Sequence, residues 1–210
     1  MKQKIKKQAQ KLFNSTGISN VSMKQIADSL QISAGNLQYH YKTKAVLLAY
    51  IYEDMYQESL HYITPVNSYI TLHHFEDVIL KFDGLQNRYS FFFNEIIHIG
   101  RNYPEILKRH TESTLQRLKE GSALLDYYIE TERLKPENEL TDYDKLVHTF
   151  WMLSTFWQSQ RQIIKNNTYF VNQCHIAEIL WNIFLPHLTE KGLEEYKQMR
   201  KFVPLPKELT

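Results

Sequence analysis

Cysteine occurs once in this 210-residue chain, and glycine and proline occur only six times each. A single thiol, Cys174, excludes an intramolecular disulfide and fits a reducing compartment. Its apolar helical surroundings suit a buried small hydrophobe better than a reactive thiol. The scarcity of turn formers, combined with 43% hydrophobic residues, favours a mostly helical chain with a substantial core. No apolar run approaches the roughly 20 residues that a bilayer span requires. The basic start MKQKIKKQAQ is not followed by the apolar segment of a signal peptide. A cytoplasmic protein with no membrane partner is expected. Enzyme signatures are missing too, with no P-loop, GxGxxG or GxSxG segment. Nine histidines invite a metal site, yet His73-His74 leads into Phe75-Glu76 and no HExxH spacing occurs. No metal, cofactor or catalytic residue is assigned.

Acidic residues are nearly absent from the first fifty positions. Eight lysines (Lys2, Lys4, Lys6, Lys7, Lys11, Lys24, Lys42, Lys44) stand there against one acid, Asp28, so this stretch carries +7. The whole chain is +2, which leaves −5 for residues 51–210. Such a split points to a polyanionic partner at the amino end. The plainer alternative is a solvated lysine-rich helix face.

The apolar pattern resolves this end into short helices. Ile5, Ala9, Leu12 and Phe13 share one face of a first helix over about residues 2–16, closed by Gly17. Ser22 and Gln25 have capping-box spacing and open a second, whose inward face is Met23, Ile26, Ala27 and Leu30. Ser33 caps a third, running to about Tyr41, and Thr43 a fourth that continues until Pro65 forbids more. Further helices are expected near 70–83, 86–101, 104–132, 143–166 and 171–188, with breaks at Asp83-Gly84, Tyr103-Pro104, Lys135–Asn138 and Asn166-Asn167. A charged amphipathic segment, 190–201, follows. The expected fold is all-α: a three-helix helix-turn-helix DNA-binding domain over residues 1–46, then a larger helical domain over 47–210.

The stretch from KIKKQAQKLFNSTGISNVSMKQIADSL through QISAGNLQYHYKTKAVLLAYI has the frame of a helix-turn-helix. Ala27 is small where two helices cross, and Ile26, Leu30, Ile32 and Leu37 set the crossing angle. Gln31 sits where such turns often place glycine, and a left-handed backbone there would carry roughly 1 kcal/mol of strain. These features resemble the TetR family of bacterial transcriptional regulators over about 50 residues. The match includes the glycine after helix one, the serine opening helix two, the Ile-Ala pair and the Leu-x-x-His-x-x-x-Lys run from Leu37 to Lys44. RYSFFFNEI, RNYPEILKRH and STFWQS are similar to a subgroup of that family with an aromatic-rich regulatory domain. One departure is Gln38, where the family commonly has tyrosine.

The resemblance implies double-stranded DNA as partner and a role for each position. Ala34, Gly35, Asn36 and Gln38 would lie near base edges, where Asn and Gln pair with adenine and Ala34 touches a thymine methyl. Lys24 would reach a base or phosphate. Ser22, Tyr39, His40, Lys42 and Lys44 would bind backbone phosphates, which position the protein without reading sequence. Tyr41 continues the Leu37 face and is expected in the core. Gly35 allows either close DNA approach or tight helix packing.

For the larger domain the resemblance implies a homodimer and a small-molecule effector that changes DNA affinity, with repression the usual mode. Tyr89, Phe92, Phe93, His98, Tyr103, Trp151 and Trp157 are the candidate lining of a pocket for an apolar or aromatic ligand, although aromatics at helical spacing more often fill core. The helices near 143–166 and 171–188 are apolar over a wide arc and suit a dimer interface. A twofold dimer would read a near-palindromic operator. The alternatives are a non-specific architectural DNA binder and a helical enzyme without a recognisable motif.

Overall fold

The computed structural model describes residues 1–64, 69–164 and 175–204. Cys174 and Pro65 lie outside them, as does Asn166-Asn167. Regular structure among the described residues is helical: α1 (Lys2–Thr16), α2 (Met23–Ser29), α3 (Ala34–His40), α4 (Lys44–Ser59), α5 (Leu72–Arg88), α6 (Ser90–Asn94), α7 (Ile96–Asn102), α8 (Pro104–Glu130), α9 (Tyr143–Ile164), α10 (Ile176–Phe184) and α11 (Glu190–Phe202). The only extended pairings among them are the isolated bridges Leu134–Leu188 and Asn138–Thr141. No described helix is long and apolar enough to cross a membrane. The contacts sort the chain into two compact units, residues 1–60 with 85–113, and residues 61–84 with 114–210.

In the first unit, α1 buries Ile5, Ala9 and Phe13, the stripe expected from the sequence. An ion pair from Lys6 to Asp54 ties α1 to α4. Ile26, Ala27, Leu37 and Tyr41 are buried beneath α2 and α3, and Leu47, Leu48 and Ile51 form the inward face of α4. Tyr52 packs against Phe92 with ring centroids 5.3 Å apart. Its hydroxyl lies 3.3 Å from His110 Nδ1.

Three helix boundaries depart from expectation. The fourth helix ends at Ser59 rather than running on to Pro65. The Ser59 hydroxyl donates toward the Met55 and Tyr56 carbonyls, both at 3.0 Å, a side-chain bond that competes with helix continuation. Beyond it, Ile63 joins the buried core of the second unit. Asp83-Gly84 does not break α5, because burial of Leu85 and Gln86 on the next turn outweighs a glycine penalty of about 1 kcal/mol. The break comes instead at Tyr89, so residues 86–101 are not one helix. There Gln10 and Asn14 of α1 donate to the Arg88 carbonyl at 2.7 and 2.8 Å. Asn14 Oδ1 accepts the Phe91 N–H at 3.0 Å. Side chains of α1 thus take backbone groups that a continuous helix would pair internally.

The second unit centres on Leu72, Phe75, Leu125, Tyr128, Leu180, Trp181 and Phe184. Within the range expected for a last long helix, α10 covers Ile176–Phe184 and a 3₁₀ turn covers Leu185–His187. The charged segment, α11, is held by two buried ion pairs that amphipathicity alone does not disclose. Glu76, only 1% exposed, accepts from Trp181 Nε1 at 2.7 Å and from the Arg200 guanidinium. Arg133 Nε donates to Glu195 at 2.6 Å, while the other Glu195 oxygen accepts the Leu72 N–H at 2.7 Å. Gly192 allows α11 this close: a Cβ there would stand 2.2 Å from the Arg133 carbonyl oxygen.

Removing one member of a buried pair leaves the other charge unsatisfied, at a cost of about 3–5 kcal/mol. Glu76→Ala is therefore expected to lower the unfolding free energy by about that amount in urea denaturation, more than Glu76→Leu combined with Arg200→Leu. A loss within about 0.5 kcal/mol, the range of ordinary surface substitutions, would contradict this account.

Candidate nucleic-acid interface

The candidate interface is built from short helices whose ends are closed by side chains of the flanking residues. Ser22 caps α2 in a full capping box: the Gln25 N–H donates to Ser22 Oγ at 3.2 Å, and the Ser22 N–H donates to Gln25 Oε1 at 2.7 Å. The turn that follows places Gln31 at φ 55°. The left-handed backbone considered from the sequence is therefore present, and the Ile32 N–H returns to the Ala27 carbonyl at 3.1 Å. Ser33 Oγ then accepts the Asn36 N–H at 3.1 Å and opens α3. Thr43 Oγ1 accepts the Val46 N–H at 3.2 Å and opens α4.

Leu37 is the one side chain of α3 that is fully buried. Tyr41 closes that helix at 2% exposure, in the core as expected. Around this anchor Ala34, Gly35, Asn36, Gln38 and Tyr39 are exposed together, and His40 is half-buried. Tyr39 is 86% exposed and meets the His40 ring edge-on, with centroids 5.3 Å apart. Lys24 on α2 and Lys42 after α3 are exposed. Apart from its chain neighbours and the backbone of its own helix, a Cβ built at Gly35 would meet, among the described residues, only Ser33 Oγ, at 4.0 Å. Tight helix packing therefore does not account for Gly35.

Lys44 points elsewhere. Its ammonium donates to the Ile18 carbonyl and lies 5.9 Å above the Phe13 ring. Burial lowers its pKa from the ordinary lysine value, against a smaller opposing effect of the Glu95 carboxylate. Ser22 is exposed, with its hydroxyl engaged in the cap.

The candidate pocket residues divide between the units. Tyr89, Phe92, Phe93, His98 and Tyr103 belong to the first, and Trp151 and Trp157 to the second. Tyr89, Phe92 and Phe93 are buried, and Phe92 stacks on Tyr52, Phe93 and His110 at 5.1–5.4 Å. Burial pushes the Tyr89 hydroxyl up to about 12, helped by the adjacent Glu58 carboxylate. His98 is exposed, with Nε2 2.9 Å from Ser19 Oγ. Tyr103, Trp151 and Trp157 are half-buried, and the Trp157 indole nitrogen is buried with no hydrogen-bond partner among the described residues. Among the described residues no group of three or more His, Cys, Asp or Glu side chains is placed to hold a metal ion.

Sequence reasoning missed Glu95. Its Oε1 accepts the Ile18 N–H at 2.8 Å across 77 positions of chain, and nothing in the local pattern signals such a partner.

Comparison with known proteins bears on the family. Residues 5–51 match the family model described as bacterial regulatory proteins, tetR family, and residues 52–196 match that of a bacterial transcriptional repressor, TetR. An HTH-type transcriptional regulator of Staphylococcus aureus (strain USA300) is 28% identical over 127 residues, which cover 60% of this chain and 58% of that protein. The chain thus spans less than two thirds of the length of this relative. A TetR-family regulator from Marinobacter aquaeolei VT8 superposes with a TM-score of 0.82 at 20% identity, covering 97% of this chain and 99% of that one. A TetR-family regulator from Cytophaga hutchinsonii does so with a TM-score of 0.67 at 16% identity, over 90% and 95%. With both domain models matched in series along a chain of this fold, the protein belongs to the TetR family of bacterial DNA-binding transcriptional regulators.

Proposed function

We propose that this protein is a homodimeric, cytoplasmic repressor, not an enzyme, that reads a near-palindromic operator in double-stranded DNA and is released by a small apolar or aromatic effector. The observation that carries the reading is the exposed face of α3, where Asn36, Gln38 and Tyr39 project around the single buried anchor Leu37. Asn36 and Gln38 pair with base edges, Ala34 offers a methyl contact, and Gly35 lets the backbone approach. Lys24 reaches a base or phosphate, while Ser22, Tyr39, His40 and Lys42 grip phosphates. Lys44 works from inside the head, through Ile18. Residues 1–46 serve as the DNA-binding domain, and residues 47–210 as the regulatory and dimerisation domain.

Dimerisation through α9 and α10 is supported by Met152, Leu153, Phe156 and Ile163, which leave α9 with exposed apolar side chains that a second subunit would cover. An effector releases DNA only by preferring a dimer whose heads are wrongly spaced for the operator. Within the first unit, Tyr89, Phe92, Phe93 and Tyr103, with His98 as polar neighbour, are the proposed effector contacts.

Selection of bound sequences from random DNA is expected to enrich a near-palindrome. Absence of enrichment, with uniform affinity, would instead mark an architectural binder. Asn36→Ala should relax preference at one position of each half-site and cost about 1–3 kcal/mol on the selected operator. Lys42→Ala should weaken all sequences alike and reduce the salt slope by about 1. Gly35→Ala should raise thermal stability by up to about 1 kcal/mol through helix propensity while weakening DNA binding. Unchanged affinity in the stabilised variant would count against backbone approach at Gly35.

A further inference from the structure

The turn between α1 and α2 is held from two sides by residues remote from each other in sequence. Gly17 ends α1 at φ 82° and ψ 151°, a backbone region that side-chain-bearing residues rarely enter. A Cβ at Gly17 would stand 3.0 Å from Glu95 Oε1, so the glycine also makes room for that carboxylate. Glu95 Oε1 accepts the Ile18 N–H at 2.8 Å, and the Ile18 carbonyl accepts the Lys44 ammonium. The Ile18 side chain is fully buried between these two polar attachments.

Glu95 stands at the joint between α6 and α7, outside helical geometry at φ −117° and ψ 21°. Its own N–H donates to the Phe91 carbonyl at 3.1 Å, and the Phe91 N–H is held by Asn14 of α1. Three residues after Glu95, His98 Nε2 meets Ser19 Oγ at 2.9 Å. The joint therefore touches α1 and the residues just after it at successive points. Lys44, the first residue of α4, follows α3 by only a few positions. Movement of the Ile18 peptide bonds is then constrained jointly by the α6–α7 joint and by the segment that leaves α3.

We propose that Glu95 is a positioning residue for DNA reading: through Ile18 and Lys44 it fixes the turn before α2 and with it the angle at which α3 is presented. It needs no contact with DNA to do so. This inference rests on the DNA-reading function proposed above. It predicts that the specificity of binding, not merely fold stability, depends on a side-chain oxygen acceptor far outside the helix-turn-helix.

The test uses the full chain and the operator recovered by selection, with an unrelated duplex of equal length as the non-specific probe at the same salt. Loss of this bond frees the turn before α2, so Glu95→Ala should weaken operator binding by about tenfold or more. Non-specific binding should stay within about twofold, because the phosphate-gripping lysines are untouched. Glu95→Gln, which keeps an oxygen acceptor for Ile18, should recover most of the specificity ratio. Hydrogen exchange at the Ile18 amide should speed up in Glu95→Ala and not in Glu95→Gln. If Glu95→Ala does not fold, Glu95→Asp, which shortens the reach by one methylene, takes its place and should also lower the ratio. A folded Glu95→Ala or Glu95→Asp with an unchanged ratio, or parallel losses on both duplexes, would overturn the positioning role. Absence of specific binding by the unaltered protein would overturn the DNA-reading function itself, a distinct outcome.

Discussion

Helix α3, the proposed recognition helix, is seven residues long and fully buries one side chain, Leu37. A helix of that length has little stability of its own in water, and the exposed polar face proposed to meet DNA supplies no packing. Its orientation must therefore come from its anchor and its ends. Leu37 and Tyr41 are buried, as are Ile5, Ala9, Phe13, Ile26 and Leu47 of the neighbouring helices. Ser33 and Thr43 satisfy backbone donors on either side of the helix, and the left-handed Gln31 gives the turn its sharpness. Roughly 1 kcal/mol of strain at Gln31 is sustained because the surrounding contacts permit no other path.

Helix α1 is the element on which these contacts converge. One face buries Ile5, Ala9 and Phe13, while Gln10 and Asn14 bond to the backbone at residues 88–91. The second set of bonds shapes the chain it touches. By taking the Arg88 carbonyl and the Phe91 N–H it separates α5 from α6. Glu95 stands at the next joint, between α6 and α7, with its carboxylate on the Ile18 N–H. A side-chain amide on one helix thus helps decide where another helix stops, and a carboxylate just beyond returns to the end of the first.

In the second unit the corresponding constraint is electrostatic. Glu76 and Arg133 are almost wholly buried, and each is paired with a residue of α11. Buried ion pairs add little net stability relative to well-packed apolar groups, but any other placement of α11 would strand two charges. The Arg200 guanidinium also lies 5.4 Å from the Trp181 ring and 5.0 Å from Tyr196, a cation–π arrangement that accommodates its charge among apolar neighbours.

Much of the reading head was legible because its structure is local. Ser22, Ser33 and Thr43 cap with a backbone N–H three residues on, and Leu37 and Tyr41 share a face by spacing alone. Gly17 follows from the same local rules, as does the division of α3 into one buried anchor and an exposed face. The end of α5, the joint at Glu95, the inward turn of Lys44 and the partners of Glu76 and Arg133 were not legible. Their deciding partners lie between 26 and 124 positions away, beyond the reach of any periodicity or capping rule. The sequence by itself determined that α3 exists and which face it shows. Only the tertiary structure decided what holds it, because those bonds form after distant helices have met.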